Sequence, residues 1–479
     1  MSLTLTDIYL GLGGQHIHPA LSAFPISEFV IDSRRATPGS CFIALPGQRA
    51  DGHDFIADAI ARGAIAIIAQ RVPGDVATQV IRPDSDPAPG RITPPILFLT
   101  QNSLAALQNL AAYWRGRHTP TVIAITGSVG KTSTKELTAA VLRQRFPTLW
   151  TPGNYNNEIG LPLSLLRLRP EHRFAVLEMG FYVEGEIARL CEIAHPHIGV
   201  ITNIGPIHLE RAGSMEAIFR GKAELVQALP SGGRAILNWD DPWVRKMAEL
   251  SPAPIFKYGL SPDADLWADE IESYGLAGIR FRFHHRRAPG DIETLYVNLP
   301  LLGRHSVHTA LRAAAAGLLA DMQWADIIRG LRDVDARLRI DIAPGHNEST
   351  LIDDTYNASP PSTIAALNLL QEMEGRRIAI LGDMLELGGE EEKGHRLVGA
   401  RAAETSDILI TVGPRARWIA DEARALGMGE DHIHPMDSAE EAIAVAQDLI
   451  RPGDFILIKG SRAMRMDEIV SRLTAPVDD

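Results

Sequence analysis

The chain has 479 residues, enough for about three domains at roughly 150 residues each. Its 45% hydrophobic and 22% charged residues exclude a peptide, a fibre and a disordered tail. With 47 Lys+Arg against 59 Asp+Glu the net charge is −12, which excludes a protein holding nucleic acid on a general basic surface, so anionic ligands need local sites.

Cys41 and Cys191 are too few for a disulfide framework or a four-thiolate zinc site. The longest apolar stretches, such as 64–69, fall far short of the roughly 18 residues that span a bilayer, and the N-terminus lacks a basic start followed by an apolar core. A cytoplasmic protein without membrane insertion is expected.

In chain order, Cys41-Phe-Ile-Ala-Leu45 is followed by Asp51-Gly-His-Asp-Phe55, a helical pattern at Phe55, Ile56, Ala59 and Ile60, and the strand-like run 64–69. This is a small α/β unit. Residues 73–95 turn to Pro, Asp and Gly, as in a long surface loop, and a helical run from Ser103 to Arg117 leads to Pro120. The first domain is expected to span 1–98.

The second, over 99–335, opens with the buried-strand pattern Thr121-Val-Ile-Ala-Ile-Thr126, a Gly-rich turn and a helix over 131–145. Strands are predicted at 174–177, 198–202 and 234–237, giving the βα repeats of a parallel sheet. After an irregular stretch with antiparallel strands at 279–283 and 295–299, helices at 307–320 and 325–331 close the block. The third domain, 336–479, alternates strands at 350–352, 377–381, 408–412 and 454–458 with helices at 362–374, 391–405, 415–425 and 439–450. That is a Rossmann-like pattern, but its first strand is not followed by a full Gly-x-Gly-x-x-Gly, so dinucleotide binding is not indicated. The fold class is α/β in three domains.

The strongest chemical signal is Thr126-Gly-Ser-Val-Gly-Lys-Thr132, a Gly-rich turn between an apolar strand and a helix. Backbone N–H groups of Gly127, Ser128, Val129 and Gly130, with the helix start at Lys131, Thr132 and Ser133, would cradle phosphates. Lys131 would neutralise the β/γ-phosphates and the Thr132 hydroxyl would ligate Mg²⁺. A structural turn is the plain alternative, and the loop is shorter than the common phosphate-binding loop.

Four further groups end strands or sit on helices, and each has a functional and a plain reading. Glu178 is either a metal-holding carboxylate or a surface glutamate, and His208 a ligand or an ordinary histidine. Lys222 reads plainly as an exposed helical lysine. Asp353-Asp-Thr-Tyr-Asn357 suits nucleotide or metal contacts, or caps a helix. Lys459-Gly-Ser-Arg462 presents two cations and a hydroxyl to an anionic ligand or carries no ligand.

Taken together the chain resembles the Mur ligase family across all three domains. Asp32-Ser-Arg34, Gly47 and Asp51-Gly-His-Asp-Phe55 are similar to the family's UDP-binding domain, which implies that Ser33, Arg34 and Gly47 lie near the uridine diphosphate of the substrate. Gly127–Thr132 resembles its short phosphate loop, and Gly153-Asn-Tyr-Asn-Asn-Glu-Ile-Gly-Leu-Pro162, with Asn156 and Asn157, its substrate segment. Leu177-Glu-Met-Gly180 and Asn203…His208-Leu-Glu210 resemble its metal-binding residues, implying Glu178, His208 and Thr132 as ligands of two Mg²⁺ and a carbamylated Lys222 beside them.

In the third domain Ala336-Arg337, Asp353–Ala358, Leu381-Gly-Asp-Met-Leu-Glu-Leu-Gly388 and Lys459–Arg462 resemble the branch that adds a dipeptide. Arg337, Asp353, Tyr356 and Asn357 would then approach ATP, while Asp383, Lys459, Ser461 and Arg462 would shape the dipeptide site. One segment departs from the family: it commonly carries two Asn against adenine, whereas Gly303-Arg-His305-Ser-Val-His-Thr309 keeps His305 but has Ser306 and Thr309 at those places.

The resemblance implies ATP-dependent amide formation through an acyl phosphate, with UDP-N-acetylmuramoyl-tripeptide and D-alanyl-D-alanine as substrates and a peptidoglycan precursor as product. Lys131, His208 and Lys222 would carry catalysis, with a monomer expected. Three rivals are weighed. The Mur ligase that adds the third amino acid usually has an Asp-Asn-Pro-Arg segment that is absent here. Folylpolyglutamate synthetase has its phosphate loop near the N-terminus, whereas a whole domain precedes it here. A non-catalytic nucleotide-binding protein would lack substrate-dependent ADP release.

Overall fold

A computed structural model describes residues 3–15, 19–47, 50–74, 76–83, 91–207, 209–333 and 340–475. The buried-strand runs of the sequence form three separate sheets. The first contains β1 (Phe29–Val30), β2 (Cys41–Ile43), β3 (Ala66–Ala69), β4 (Gln79–Ile81) and β5 (Ile96–Leu99), all parallel in the order β1-β2-β3-β5-β4. β4 lies within 73–95, where a loop is expected; three residues are too few to reveal a period.

The helix Ser103–Gly116, capped by the Asn102 side chain accepting from the Ala105 N–H, buries Leu107, Leu110, Ala111 and Trp114. These belong to one apolar cluster with Ile68 and Phe98 of the first sheet and Val122, Ala124 and Leu177 of the second. The helix therefore joins the two cores, well beyond a division placed at residue 98.

The central sheet contains β6 (Thr121–Thr126), β7 (Thr148–Trp150), β8 (Phe174–Glu178), β9 (Ile198–Ile201), β10 (Arg234–Asn238), β11 (Ile255–Gly259), β12 (Leu266–Ser273), β13 (Ile279–Ala288) and β14 (Asp291–Leu299). Their order is β14-β13-β12-β11-β10-β9-β6-β8-β7. β12 to β14 pair antiparallel, as the irregular stretch led one to expect, but β13 runs on to Ala288 and β14 starts at Asp291. Their outer ends carry charged residues on both faces, so alternation is lost there. The helices Lys131–Arg143 and Ser306–Leu319 cover one face through Leu137, Val141, Ala310 and Ala314. β8 and β9 flank β6, so the chain departs to opposite sides of it. Such a switch leaves a crevice at the carboxyl end of the strand, where Gly127 begins.

The third sheet contains β15 (Asp341–Gly345), β16 (Ser349–Asp353), β17 (Arg377–Gly382), β18 (Ile408–Val412), β19 (Ile433–Met436) and β20 (Phe455–Lys459), ordered β15-β16-β20-β17-β18-β19. Only β15 is antiparallel to its neighbour. β20 sits between β16 and β17, which makes a second switch point, and the register Asp353↔Ile458 sets Asp354 and Lys459 side by side beyond the strand ends. The expected boundary near 335 lies outside the described residues.

Candidate active site

β6 delivers its carboxyl end into the turn 127–130, whose shape depends on two glycines. Gly127 has φ +145°, and a Cβ there would fall 1.9 Å from Thr202 Oγ1; Gly130 has φ +84° and precedes the helix Lys131–Arg143. The turn is clamped from β9. Ser128 N–H donates to Asn203 O at 2.9 Å, Val129 N–H to Asn203 Oδ1 at 2.9 Å, and the Asn203 amide and Thr202 hydroxyl both donate to Val129 O. The loop is thus held open by neutral hydrogen bonds before any anion arrives. Lys131 Nζ arches over it, donating to Gly127 O and Ser128 O at 2.9 and 3.1 Å.

Glu178, last residue of β8, is wholly buried rather than a surface glutamate. Its Oε2 accepts from Thr132 Oγ1 and its Oε1 from Asn156 Nδ2, both at 2.8 Å. Among the described residues no cation pairs with it. A buried carboxylate held only by neutral donors lacks a counter-charge, and the hydroxyl beside it supplies a second hard oxygen. This donor set fits Mg²⁺, which keeps most of its shell for waters and phosphate oxygens. Among the described residues no three His, Cys, Asp or Glu side chains cluster as a metal cage, in keeping with such a sparse site.

Lys222 corrects its plain reading: it is 1% exposed, on the apolar face of the helix Met215–Gln227. Gly221 makes this possible, because a Cβ there would run into the Phe181 ring, whose centroid lies 4.7 Å from Lys222 Nζ. Burial, helped by the charge of Lys131, pulls the Lys222 ammonium well below its ordinary pKa.

Across a cavity of about 1110 Å³, the third sheet presents its own edge. Lys459 Nζ donates to Asp354 Oδ2 at 2.6 Å and to Asn357 O at 2.8 Å, a buried pair. Arg462 lies over the Tyr356 ring, 5.4 Å from its centroid. Ser461 Oγ accepts from Leu385 N–H, Ser461 N–H donates to Asp383 O, and Met384 N–H donates to His395 Nε2, so the 383–387 loop is fixed against β20.

The predicted residues divide accordingly. Ser128, Val129, Gly130, Lys131, Ser133, Asn156, Glu178, His305, Thr309, Tyr356, Asn357, Lys459, Ser461 and Arg462 line the cavity. Asp353 stands behind the wall, its Oδ1 closing a turn with the Thr355 N–H and hydroxyl, while its neighbour Asp354 faces the cavity. Asp383 is buried away from it, accepting from Ala416 N–H, and Asn157 Oδ1 accepts from the Ile159 and Gly160 N–H groups at the start of a helix. Ser33, Arg34 and Gly47 belong to the first sheet's margin, where Arg34 grips Asp32 in a two-pronged pair. That margin reaches the Asn-rich segment 153–162 by Arg35 Nη1 donating to Tyr155 OH at 3.2 Å. His208 and Arg337 lie outside the described residues. Sequence reasoning passed over Arg312, the pairing of Asp354 with Lys459 and the clamping role of Asn203, whose partner Val129 is 74 positions away.

Fold and site define a three-domain α/β protein with a Gly-rich strand-to-helix loop at the switch point of its central sheet and a second charged sheet edge facing it. Residues 25–115 match the Mur ligase family catalytic domain, 125–317 the Mur ligase middle domain and 338–462 the Mur ligase glutamate ligase domain. The chain is 36% identical to the UDP-N-acetylmuramoyl-tripeptide--D-alanyl-D-alanine ligase of Escherichia coli, over 98% of this chain and 97% of that protein. The structure of MurF from Acinetobacter baumannii aligns with TM-score 0.84 at 30% identity, covering 98% of both chains. The MurF ligase of Thermotoga maritima in complex with ADP aligns at 0.77 and 28%, covering 93% of this chain and 96% of that one. The chain belongs to the Mur ligase family.

Proposed function

We propose that this chain is the ATP-dependent amide ligase that joins D-alanyl-D-alanine to UDP-N-acetylmuramoyl-tripeptide, acting as a monomer. The observation that carries the reading is the cavity itself, with the phosphate loop and Glu178 on one wall and Lys459, Ser461 and Arg462 on the other. Full-length relatives bearing that activity in their names support it. No helix among the described residues is long and apolar enough to cross a membrane.

A carboxylate is a poor electrophile. The terminal carboxylate of the tripeptide therefore attacks the γ-phosphorus of ATP, the bond to ADP breaks, and an acyl phosphate forms. The dipeptide amine then attacks the acyl carbon, the C–N bond forms, and phosphate leaves with the electron pair of the broken C–O bond. Lys131 and the loop N–H groups hold the transferring phosphates in place and offset their charge. Arg462, beside the already paired Lys459, receives the anionic end of the dipeptide.

Thr132 and Glu178, with His208 and a carbamylated Lys222, would hold Mg²⁺, which when bound would supply charge neutralisation between carboxylate and triphosphate. The buried, pKa-lowered Lys222 suits carbamylation: its neutral amine adds to CO2, releasing a proton and exchanging a cation for a carboxylate.

Phosphate release with ATP and Mg²⁺ is measured with each substrate alone and with both. The reading expects release only with both, together with the pentapeptide product by mass. Release instead with UDP-N-acetylmuramoyl-dipeptide and a free amino acid moves the activity to the preceding ligase step, and silence with every pair leaves a nucleotide binder.

A further inference from the structure

Arg312 lies in the Ala-rich helix Ser306–Leu319 and is only 4% exposed. Its guanidinium donates from Nε to Thr134 Oγ1 at 2.8 Å, from Nη1 to the Tyr258 hydroxyl at 3.2 Å and from Nη2 to Thr309 Oγ1 at 2.9 Å. Every one of these acceptors is a neutral hydroxyl. Among the described residues no carboxylate lies within ion-pair distance of it. The two acids near Tyr258 are engaged elsewhere: Asp240 accepts from His308 and the Leu260 N–H, and Asp241 from the N–H groups of Ile204, Trp243 and Val244. A guanidinium stays charged, and burying it without a counter-ion is costly, so the site is built for an anion.

The surroundings say which anion. A Cβ on Gly130 would stand 3.2 Å from Nη2, and Thr134, which takes the Nε–H, itself donates to Gly130 O at 2.6 Å. Arg312 lines the same cavity as Lys131 and Ser133. Three of its five N–H donors are occupied by the hydroxyls, leaving two for a ligand. On the same helix the Thr309 hydroxyl accepts from Arg312, and Ser306 donates its own to Leu302 O.

We propose that Arg312 is a second phosphate-binding cation of this chain, which with Lys131 brackets the polyphosphate of the bound nucleotide. The inference rests on the nucleotide-binding reading above. The hydroxyls of Thr134, Thr309 and Tyr258 fix the fork so that its free N–H groups meet phosphate oxygens without reorganisation.

The test is calorimetric titration of the full chain with ADP and with GDP in the presence of Mg²⁺, using wild type, K131A, R312K and R312Q, with steady-state KM values alongside. R312Q is expected to weaken ADP binding about tenfold, the loss of one charge-assisted contact. R312K, which keeps the charge but loses the fork, weakens it less. The ratio of ADP to GDP affinity and the KM for D-alanyl-D-alanine stay as in wild type. Unchanged ADP affinity in a folded R312Q overturns the proposal and leaves Arg312 a structural tie. A changed ADP to GDP ratio overturns it in favour of a base contact. Should R312Q fail to fold, R312K decides alone, and wild-type affinity in that variant overturns the proposal. Failure of wild type to bind ADP at all sinks the underlying reading instead.

Discussion

The two walls of the cavity solve the same problem, holding charge in a buried place, in opposite ways. On the central wall, among the described residues, Glu178 is buried with only hydroxyl and amide donors, and Arg312 with only hydroxyl acceptors. On the third-domain wall Lys459 already has Asp354 at 2.6 Å. The buried charges of the first wall have no partner of opposite sign among the described residues; on the second the buried Lys459 is already neutralised, and the cation left for an anion is the exposed Arg462. A wall of the first kind is expected to lose activity rather than stability when its charges are removed, and a wall of the second kind to lose stability.

The largest effect tests the first wall. Lys131→Ala is expected to lower ADP formation by about 10²–10³-fold, as removal of a preorganised charge does. Turnover near wild type would take Lys131 out of phosphate binding. Next, Glu178→Gln can still accept from Asn156 through its oxygen and, with the Thr132 hydroxyl turned to accept, donate to it through its amide, while the buried charge is deleted, so it should weaken Mg²⁺ use by about 10–100-fold and raise the melting temperature. A fall in both would erase the distinction between the walls. Lys222→Ala is expected to be inactive and partly restored by added short carboxylates; an amine free of CO2 in a crystallographic map of the site would contradict the carbamate.

On the second wall, Asp354→Asn strands a buried ammonium and should cost about 3 kcal/mol in denaturant unfolding. A melting curve like wild type would show that Lys459 is satisfied by Asn357 O alone. The smallest effect concerns two adjacent amides: Asn157→Ala should cost about 1 kcal/mol as a lost helix cap while KM values hold, whereas a raised KM for the sugar nucleotide would give it a substrate role.

The sequence made β6, the helix Glu391–Thr405 and β18 legible to the residue, because each is a long uniform run with clear ends. β4, β7 and β19 have three or four residues, too few to set a period, and Pro435 within β19 argues against a strand. Pro344 sits in β15 because that strand is an edge, where a missing N–H leaves no ladder bond unmade. Lys131, Thr132 and Glu178 were readable from position after strands. Lys222 was readable only with more attention to spacing, since Ile218, Leu225 and Val226 share its buried face. Arg312 was not readable, because an arginine in an Ala-rich helix acquires meaning only from Thr134, far away in the chain.

The single hydrogen bond from Asn156 to Glu178 has a wider reach than its 2.8 Å suggests. It ties the Asn-rich segment to the carboxylate proposed to hold the metal, so a cation drawing on that oxygen and a substrate ordering that segment would bias the same pair of conformations. By thermodynamic reciprocity, whatever factor the metal contributes to the affinity for the sugar nucleotide, the sugar nucleotide returns to the metal. An inhibitor that displaced Asn156 would therefore register as a change in magnesium requirement without ever touching the ion.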